Sequence, residues 1–287
     1  MLLLLHDEKY HDYYAKQLIN NKDKLSCSLE VLSVEELLNQ CTYTYDRHNK
    51  ITSIKKGREK IILGDSILLN RLIRMSASNF ILNDEPSKLF FKYCSSFLSQ
   101  LIGSFSKASN TVGESCLSGS YHPLNMQWYL VKKNLKGITV PESDFSFGYK
   151  LNDISFLNPI VANPNDLASV ANPSEQLRQK PSMHTFRFSE QKGDPYVCYF
   201  SGEYFDAKPL GENNANLSEQ DLLCLSQIKN FFGLFAGEIV FFKQDGDFIF
   251  GSINHYYEKA SEFADAQDIV IKGVNEFVEQ RIQMEAV

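Results

Sequence analysis

The sequence predicts an α/β protein, with an N-terminal domain on an open parallel-type sheet followed by a domain of α+β character. Three observations carry this. Buried-strand runs alternate with helical periodicity over residues 2–39 in a β-α-β-α order, which demands a parallel sheet with right-handed crossovers. From residue 194 onward the chain instead reads as strand pairs with tight turns, separated by a helix and closed by another. A content of 43% hydrophobic and 13% aromatic over 287 residues supplies a sizeable core.

Leu2 to Leu5 is a continuous apolar run of buried-strand type, and Tyr10, Tyr14, Leu18 and Ile19 then recur at helical spacing. Leu29 to Ser33 reads as a second strand, and Ser33 with Glu36 forms a capping box for the helix that follows. Residues 42–57 read as a polar two-stranded hairpin turning at Asp46 to Lys50, and residues 65–75 as a further buried strand. From Asp84 a long amphipathic helix is expected, with Leu89, Phe90, Tyr93, Phe97, Leu101 and Phe105 on one face.

A Gly/Ser-rich loop leads into a helix over 124–137 that ends at Gly137, then an extended segment, Ile138 to Ser143. The tetrapeptide Val-Ala-Asn-Pro occurs at 161–164 and again at 170–173, and Asn before Pro suits two short helix starts. Residues 183–188 read as a strand, and residues 195–210 as a strand pair turning at Ser201-Gly202. A helix capped by Ser218 precedes the hairpin, in which Glu238–Phe242 and Asp247–Ile253 flank Gln244-Asp245-Gly246. Residues 261–282 form a terminal helix.

A net charge of −6 and a pI near 5.6 argue against a nucleic-acid footprint, and the short basic cluster at 53–60 reads as a solvated hairpin end. Cys27, Cys41, Cys94, Cys116, Cys198 and Cys224 are dispersed, with neither zinc-site nor disulfide spacing, so reduced thiols in a cytoplasmic protein are expected. Four leucines at the start fall short of a signal-peptide core of about 7–15 apolar residues. No run approaches the length of a membrane span. Trp128 is expected in the core, and His122 joins no Ser/His/Asp or Cys/His arrangement.

The order from residue 194, a strand pair ending in "DAKPL", a helix, Gly233-Leu234, a hairpin, "SINHYYE" and a terminal helix, resembles the C-terminal part of the ATP-grasp ligases. The branch it looks like contains the ribosomal-protein S6 glutamate ligase and the ligases that modify ribosomal peptides. "LNRLIRM" at 69–75 is similar to that branch's arginine-bearing strand, and residues 116–143 to its loop, helix and entry to the central domain. The resemblance leaves out residues 143–183. It implies an N-terminal domain over 1–140, an abbreviated central or lid segment over 141–183, and an ATP-grasp-like domain over 184–287.

Members of that family activate a carboxylate with ATP and let an amine attack the acyl phosphate, with Mg²⁺ neutralising the phosphates through oxygen ligands. Those ligands are an aspartate in the strand after Gly-Leu and a Glu-x-Asn at the end of the next strand. Here the aspartate position is Val240, with Glu238 the nearest acid, two residues away on the same strand face. A two-residue register slip would keep that face. Glu-x-Asn has become Ser252-Ile253-Asn254, and Asp194-Pro195-Tyr196 stands where the family has an arginine. No glycine occurs between Asn152 and Gln191, where a glycine-rich loop would cover the triphosphate.

The resemblance therefore implies a degenerate, ATP-grasp-like pseudo-ligase that binds a peptide or protein, an active ligase being one such partner. Two alternatives stay open. One is an active ATP- and Mg-dependent carboxylate–amine ligase using Glu238, Ser252 and Asn254, with His255 beside them. The other is an interaction protein that forms a homodimer through its N-terminal domain. Arg71 and Arg74 are the substrate-carboxylate candidates, each with a plain salt bridge as the competing reading.

Overall fold

The computed structural model describes residues 1–8, 12–72, 85–110, 112, 117–119, 122–141, 143–145, 159–162, 186–189, 193–210, 217–257 and 266–283. In chain order they form β1 (Leu2–His6), α1 (Tyr13–Asn20), β2 (Leu29–Ser33), α2 (Val34–Asn39), β3 (Cys41–Tyr45), β4 (Ile51–Lys56), β5 (Glu59–Ile62), β6 (Ile67–Asn70) and α3 (Glu85–Gly103). There follow α4 (Leu124–Asn134), β7 (Ser143–Phe145), β8 (Pro159–Ala162), β9 (Phe186–Ser189), β10 (Asp194–Ser201) and β11 (Tyr204–Pro209). The last elements are α5 (Glu219–Phe232), β12 (Ala236–Gln244), β13 (Asp247–Asn254) and α6 (Ala266–Gln283). Two compact units result: Met1–Tyr121 with Gly233–Phe235 and Ala264–Val287, and His122–Phe232 with Ala236–Phe263.

In the first unit β2, β1 and β6 make the expected parallel sheet, with Leu4 opposite both Val31 and Leu69. Leu2, Leu3, Leu4 and Leu5 are all buried, as a strand covered on both faces requires. Tyr14 and Leu18 of α1 are buried too, while Ile19 is exposed and Tyr10 lies outside the described residues. The capping box forms as the sequence predicts: Glu36 N donates to Ser33 Oγ at 3.2 Å and Ser33 N to Glu36 Oε2 at 3.1 Å. On α6, Val270, Val274, Phe277 and Val278 are buried, and Asn275 Oδ1 accepts from Ser26 N at 2.8 Å.

Two expectations for this unit need correction. The 42–57 hairpin has a third strand, because Gly57 at φ +60° makes a second tight turn and sends β5 back along β4. And α3 buries only the later part of the expected stripe, together with residues beside it. Cys94, Leu98, Leu101, Ile102 and Phe105 are buried, whereas Leu89, Phe90 and Tyr93 are 50%, 57% and 64% exposed. The reason is geometric: a stripe stepped every four residues drifts about 40° per step, so Leu89 and Phe105 cannot share one face of a straight helix.

In the second unit β7, β9 and β8 form an antiparallel sheet. The segment expected to be an abbreviated lid, 141–183, therefore contains two strands, β7 and β8, which pair with β9 just beyond it. β9 answers to the strand read at 183–188; β7 and β8 were hidden by Asn/Pro punctuation, although Pro is tolerated as the first residue of a strand. The helix starts expected after Asn163 and Asn172 lie outside the described residues.

The larger sheet is antiparallel throughout, in the order β11-β10-β12-β13. One face packs on α5: Phe232 stacks on Phe250 at 6.4 Å, within an aromatic series in which Tyr196, Phe241 and Phe248 are stacked 5.2 and 4.7 Å apart. Ion pairs clamp α5 near its start and toward its end: Lys243 Nζ to Asp221 Oδ2 at 2.6 Å, and Lys229 Nζ to Glu203 Oε1 at 2.6 Å. Burial pushes the Asp221 carboxyl up, but hydrogen bonds from Lys243 and from the main chain and hydroxyl of Ser218 outweigh it and hold the group below its ordinary range.

Trp128 of α4 is in the core, as expected, and Nε1 donates to the Gly251 carbonyl at 2.6 Å. Gln127 behaves like a neighbouring strand toward the edge strand β13: Nε2 donates to Ile253 O at 3.0 Å and Oε1 accepts from Ile253 N at 2.9 Å. Phe250 N donates to Thr139 O at 2.8 Å farther along the same edge. Among the described residues no helix is long and apolar enough to cross a membrane.

The corrected face of α3 is testable by urea unfolding. Leu98→Ala is expected to cost about 2–5 kcal/mol, whereas Tyr93→Ala should stay within about 0.5 kcal/mol of the parent.

Candidate functional site

Two local features decide which side chains of the β12–β13 hairpin meet. Asp245 (φ +53°) and Gly246 (φ +91°) are the two central residues of a turn closed by Gln244 opposite Asp247. Positive φ at both is the type I′ geometry that matches strand twist. From this turn the pairing runs Lys243 with Phe248, Phe242 with Ile249 and Phe241 with Phe250, and then the register shifts. Gly251 is the extra residue, a bulge in which a Cβ would stand 2.8 Å from the Val240 carbonyl oxygen. Beyond it Val240 faces Ser252 and Glu238 faces Asn254. Without the bulge Glu238 would oppose Ile253, so Gly251 re-aims both polar residues of β13 onto Glu238's face of the sheet.

Continuing across the sheet, Glu238 pairs with Tyr199 and Tyr199 with Asp206. Val240 pairs with Val197, and Val197 with Lys208. Residues directly opposite in an antiparallel pair share a face. One row across the four strands therefore reads Asp206, Tyr199, Glu238, Asn254, and the next reads Lys208, Val197, Val240, Ser252. This is the face turned away from the aromatic series that packs on α5.

Glu238, Ser252 and Asn254 are only 4%, 2% and 4% exposed, and His255 is buried beside them. Such polar burial is costly unless each group is answered. Asn254 Oδ1 accepts weakly from Tyr256 N at 3.4 Å. Tyr257 covers part of the face, its ring 5.0 Å from that of Tyr199 and its hydroxyl donating to Phe200 O at 2.6 Å. Lys208 Nζ meets Asp206 Oδ1 at 3.1 Å, while Asp206 Oδ2 is buried with no hydrogen bond.

The structure thus brings Glu238, Ser252 and Asn254 together and adds Asp206, Tyr199 and Lys208, which the sequence reading left out. Their signal was the alternation Asp206-Ala207-Lys208, polar at every second place of a strand. Within this hairpin Glu238 is the acid set opposite Asn254, two residues along from the Val240–Ser252 pair.

As a magnesium-phosphate site the set is incomplete. The Val240–Ser252 pair carries no carboxylate, and Asp206 and Glu238 stand two strand spacings apart, about 9.5 Å. Among the described residues no group of three or more His, Cys, Asp or Glu side chains is placed to hold a metal ion. On β12 and β13 this face offers a single carboxylate, Glu238, directly opposite one amide, Asn254, where a phosphate-bound Mg²⁺ is commonly held by one or two carboxylates with phosphate oxygens and waters completing the shell.

Arg71, in the other unit, is buried and held. Nε and Nη2 donate to Asp12 Oδ2 and Oδ1 at 2.8 and 2.9 Å, and the guanidinium carbon lies 4.7 Å from the Tyr14 ring centre. Asp12 is also the N-cap of α1, accepting from Tyr14 N at 3.1 Å. The guanidinium fork of this substrate-carboxylate candidate grips a carboxylate of its own chain, as the competing salt-bridge reading allowed. Arg74 lies outside the described residues.

No protein-family model matches the sequence, and no curated protein matches it. Solved structures do. The chain is similar to the macrocyclase MdnC from Microcystis aeruginosa MRC, bound with its precursor peptide MdnA, at a TM-score of 0.68 and 13% identity over 96% of this chain and 100% of that one. It is similar to the ATP-grasp ligase PsnB, complexed with a minimal precursor, Mg and ADP, at 0.70 and 12% over 97% of each chain. The RiPP-associated ATP-grasp ligase of Chryseobacterium gregarium, in complex with ADP and a leader and core peptide, follows at 0.61 and 11%, again over 97% of each. The fold of this chain is that of the ATP-grasp ligases.

If Arg71 serves the fold, Arg71→Ala leaves the Asp12 carboxylate buried and unpaired, and urea unfolding should show a loss of about 3–5 kcal/mol. A loss below about 1 kcal/mol would favour a ligand-binding role for Arg71 over a structural one.

Proposed function

We propose that this chain is a pseudo-ligase: an ATP-grasp fold that binds a peptide or protein in a peptide-modification pathway without the metal-dependent chemistry of its structural neighbours. One observation carries the reading. Val240 and Ser252 stand directly opposite each other at the two positions where the family resemblance requires carboxylates. Valine offers no donor and the serine hydroxyl is neutral, so the charge that would offset a phosphate-bound cation is missing.

The peptide half of the reading is supported by the structural neighbours, whose complexes contain precursor, leader or core peptides. A buried polar face with a hydroxyl, amide, carboxylate and amine fits a ligand recognised by hydrogen bonds better than a triphosphate. Such a protein acts by holding a substrate peptide or by pairing with an active ligase.

A second reading is favoured by the Glu238–Asn254 pair. The carboxylate absent from one row is present in the next, directly opposite the one asparagine that matches the family pattern. If magnesium and ATP bind here, Glu238 and Asn254 would hold the cation, and the protein would be a carboxylate–amine ligase with relocated ligands.

Calorimetric titration with ATP and with a non-hydrolysable analogue, with and without Mg²⁺, separates the two. The pseudo-ligase reading expects no heat at millimolar nucleotide. Mg²⁺-strengthened binding that is lost in both Glu238→Gln and Asn254→Ala would establish the second reading in its place.

A further inference from the structure

The charge of the chain is unevenly placed. Between Asp46 and Lys60 six basic residues, Arg47, Lys50, Lys55, Lys56, Arg58 and Lys60, face two acids, Asp46 and Glu59. That local excess of four positive charges leaves the remainder of the chain at −10, against −6 for the whole. The excess sits on the β3-β4-β5 sheet of the first unit, and the pairing shows how it is arranged.

Tyr43, Ile54 and Ile61 form one cross-strand row, with both isoleucines buried. The next row, on the opposite face, is Thr42, Lys55 and Lys60, all exposed. Lys55 and Lys60 are therefore direct neighbours on adjacent strands, and like charges in that position destabilise a sheet. Lys56 is answered by Glu36 at 2.6 Å. No ion pair answers Lys55, Arg58 or Lys60 among the described residues.

β5 is at the edge of its sheet, a strand of four residues with Ile62 40% exposed beyond Lys60 on the same face. An edge strand offers unpaired main-chain groups to an added strand, and side chains on one face of that strand then decide specificity. We propose that this face binds an extended acidic peptide segment of a partner, running along β5 with a carboxylate set against Lys60 and within the field of Lys55 directly across from it. A single-stranded nucleic acid is the poorer fit. It needs aromatic platforms, which the Thr42-Lys55-Lys60 row lacks. The proposal does not rest on the pseudo-ligase reading.

The test uses the full chain and a fluorescein-labelled peptide of alternating Glu and Thr, followed by anisotropy at low and high salt. The acidic peptide should bind and be weakened by salt, its Gln-for-Glu counterpart should not bind, and Lys55→Gln with Lys60→Gln should weaken binding by about tenfold. Lys16→Gln with Lys132→Gln, two exposed lysines elsewhere, should leave it unchanged. Amide hydrogen exchange over Glu59–Ile62 should slow on peptide addition. Removing the opposed lysine charges should not lower stability in urea, so the variant remains readable. The proposal is overturned if the acidic peptide fails to bind, if the double variant binds equally, if β5 gains no protection, or if an oligothymidylate binds as tightly as the peptide.

Discussion

The two-residue turn at Asp245-Gly246 and the bulge at Gly251 jointly set the register of β12 against β13, and the composition of the buried polar face follows from that register. A shift of one residue would carry every side chain of a strand to the opposite face. Backbone geometry holds the arrangement in place. Both turn residues need positive φ, and at Gly251 a side chain would collide with the Val240 carbonyl. Trp128 then bonds the Gly251 carbonyl, and Gln127 bonds both main-chain groups of Ile253, so α4 reads the bulged strand directly. Gly237 completes the constraint, since a Cβ there would lie 2.2 Å from the Asn254 carbonyl oxygen. Glu238 and Asn254 are thus approached by backbones that only glycine permits to come so close.

Much of the fold was legible because its signals are local. The capping box of Ser33 and Glu36, the Asp-Gly turn, the Ser-Gly turn before β11 and the β-α-β-α start each depend on a few adjacent residues, and each is present. What escaped reading depends on partners distant in sequence. Which side of α3 is buried is decided by what packs on it, so Leu89, Phe90 and Tyr93 of the four-step stripe are exposed while Leu101 of the same stripe packs with Cys94 and Leu98. The Asp206-to-Asn254 row is assembled from four strands and emerges only with their pairing. Gly251 was the one visible trace, a glycine inside a strand pattern, which commonly marks a bulge.

The fold is that of the ATP-grasp ligases, and the pseudo-ligase proposal rests on which side chains its larger sheet presents. Its face remains buried and polar, which a protein with no use for it would be expected to fill with apolar side chains, since satisfied hydrophobic packing is the cheaper solution. One row ends in Val240 and Ser252 without a carboxylate, and a lone carboxylate, Glu238, stands in the next. A polar face without convergent negative charge suits recognition by hydrogen bonds, and that contrast between retained polarity and lost charge is the basis of the pseudo-ligase account.

The most direct measurement is made at the level of the cation, where neither nucleotide nor peptide is needed: Mn²⁺ binding followed by water-proton relaxation in the native chain, in Glu238→Gln, and in a variant carrying Val240→Asp with Ser252→Glu. The account predicts that the native chain and Glu238→Gln give the same weak, non-saturating response, and that restoring the two carboxylates creates a saturable site. Saturable binding by the native chain that disappears in Glu238→Gln would contradict it and show that the metal site had moved by one row.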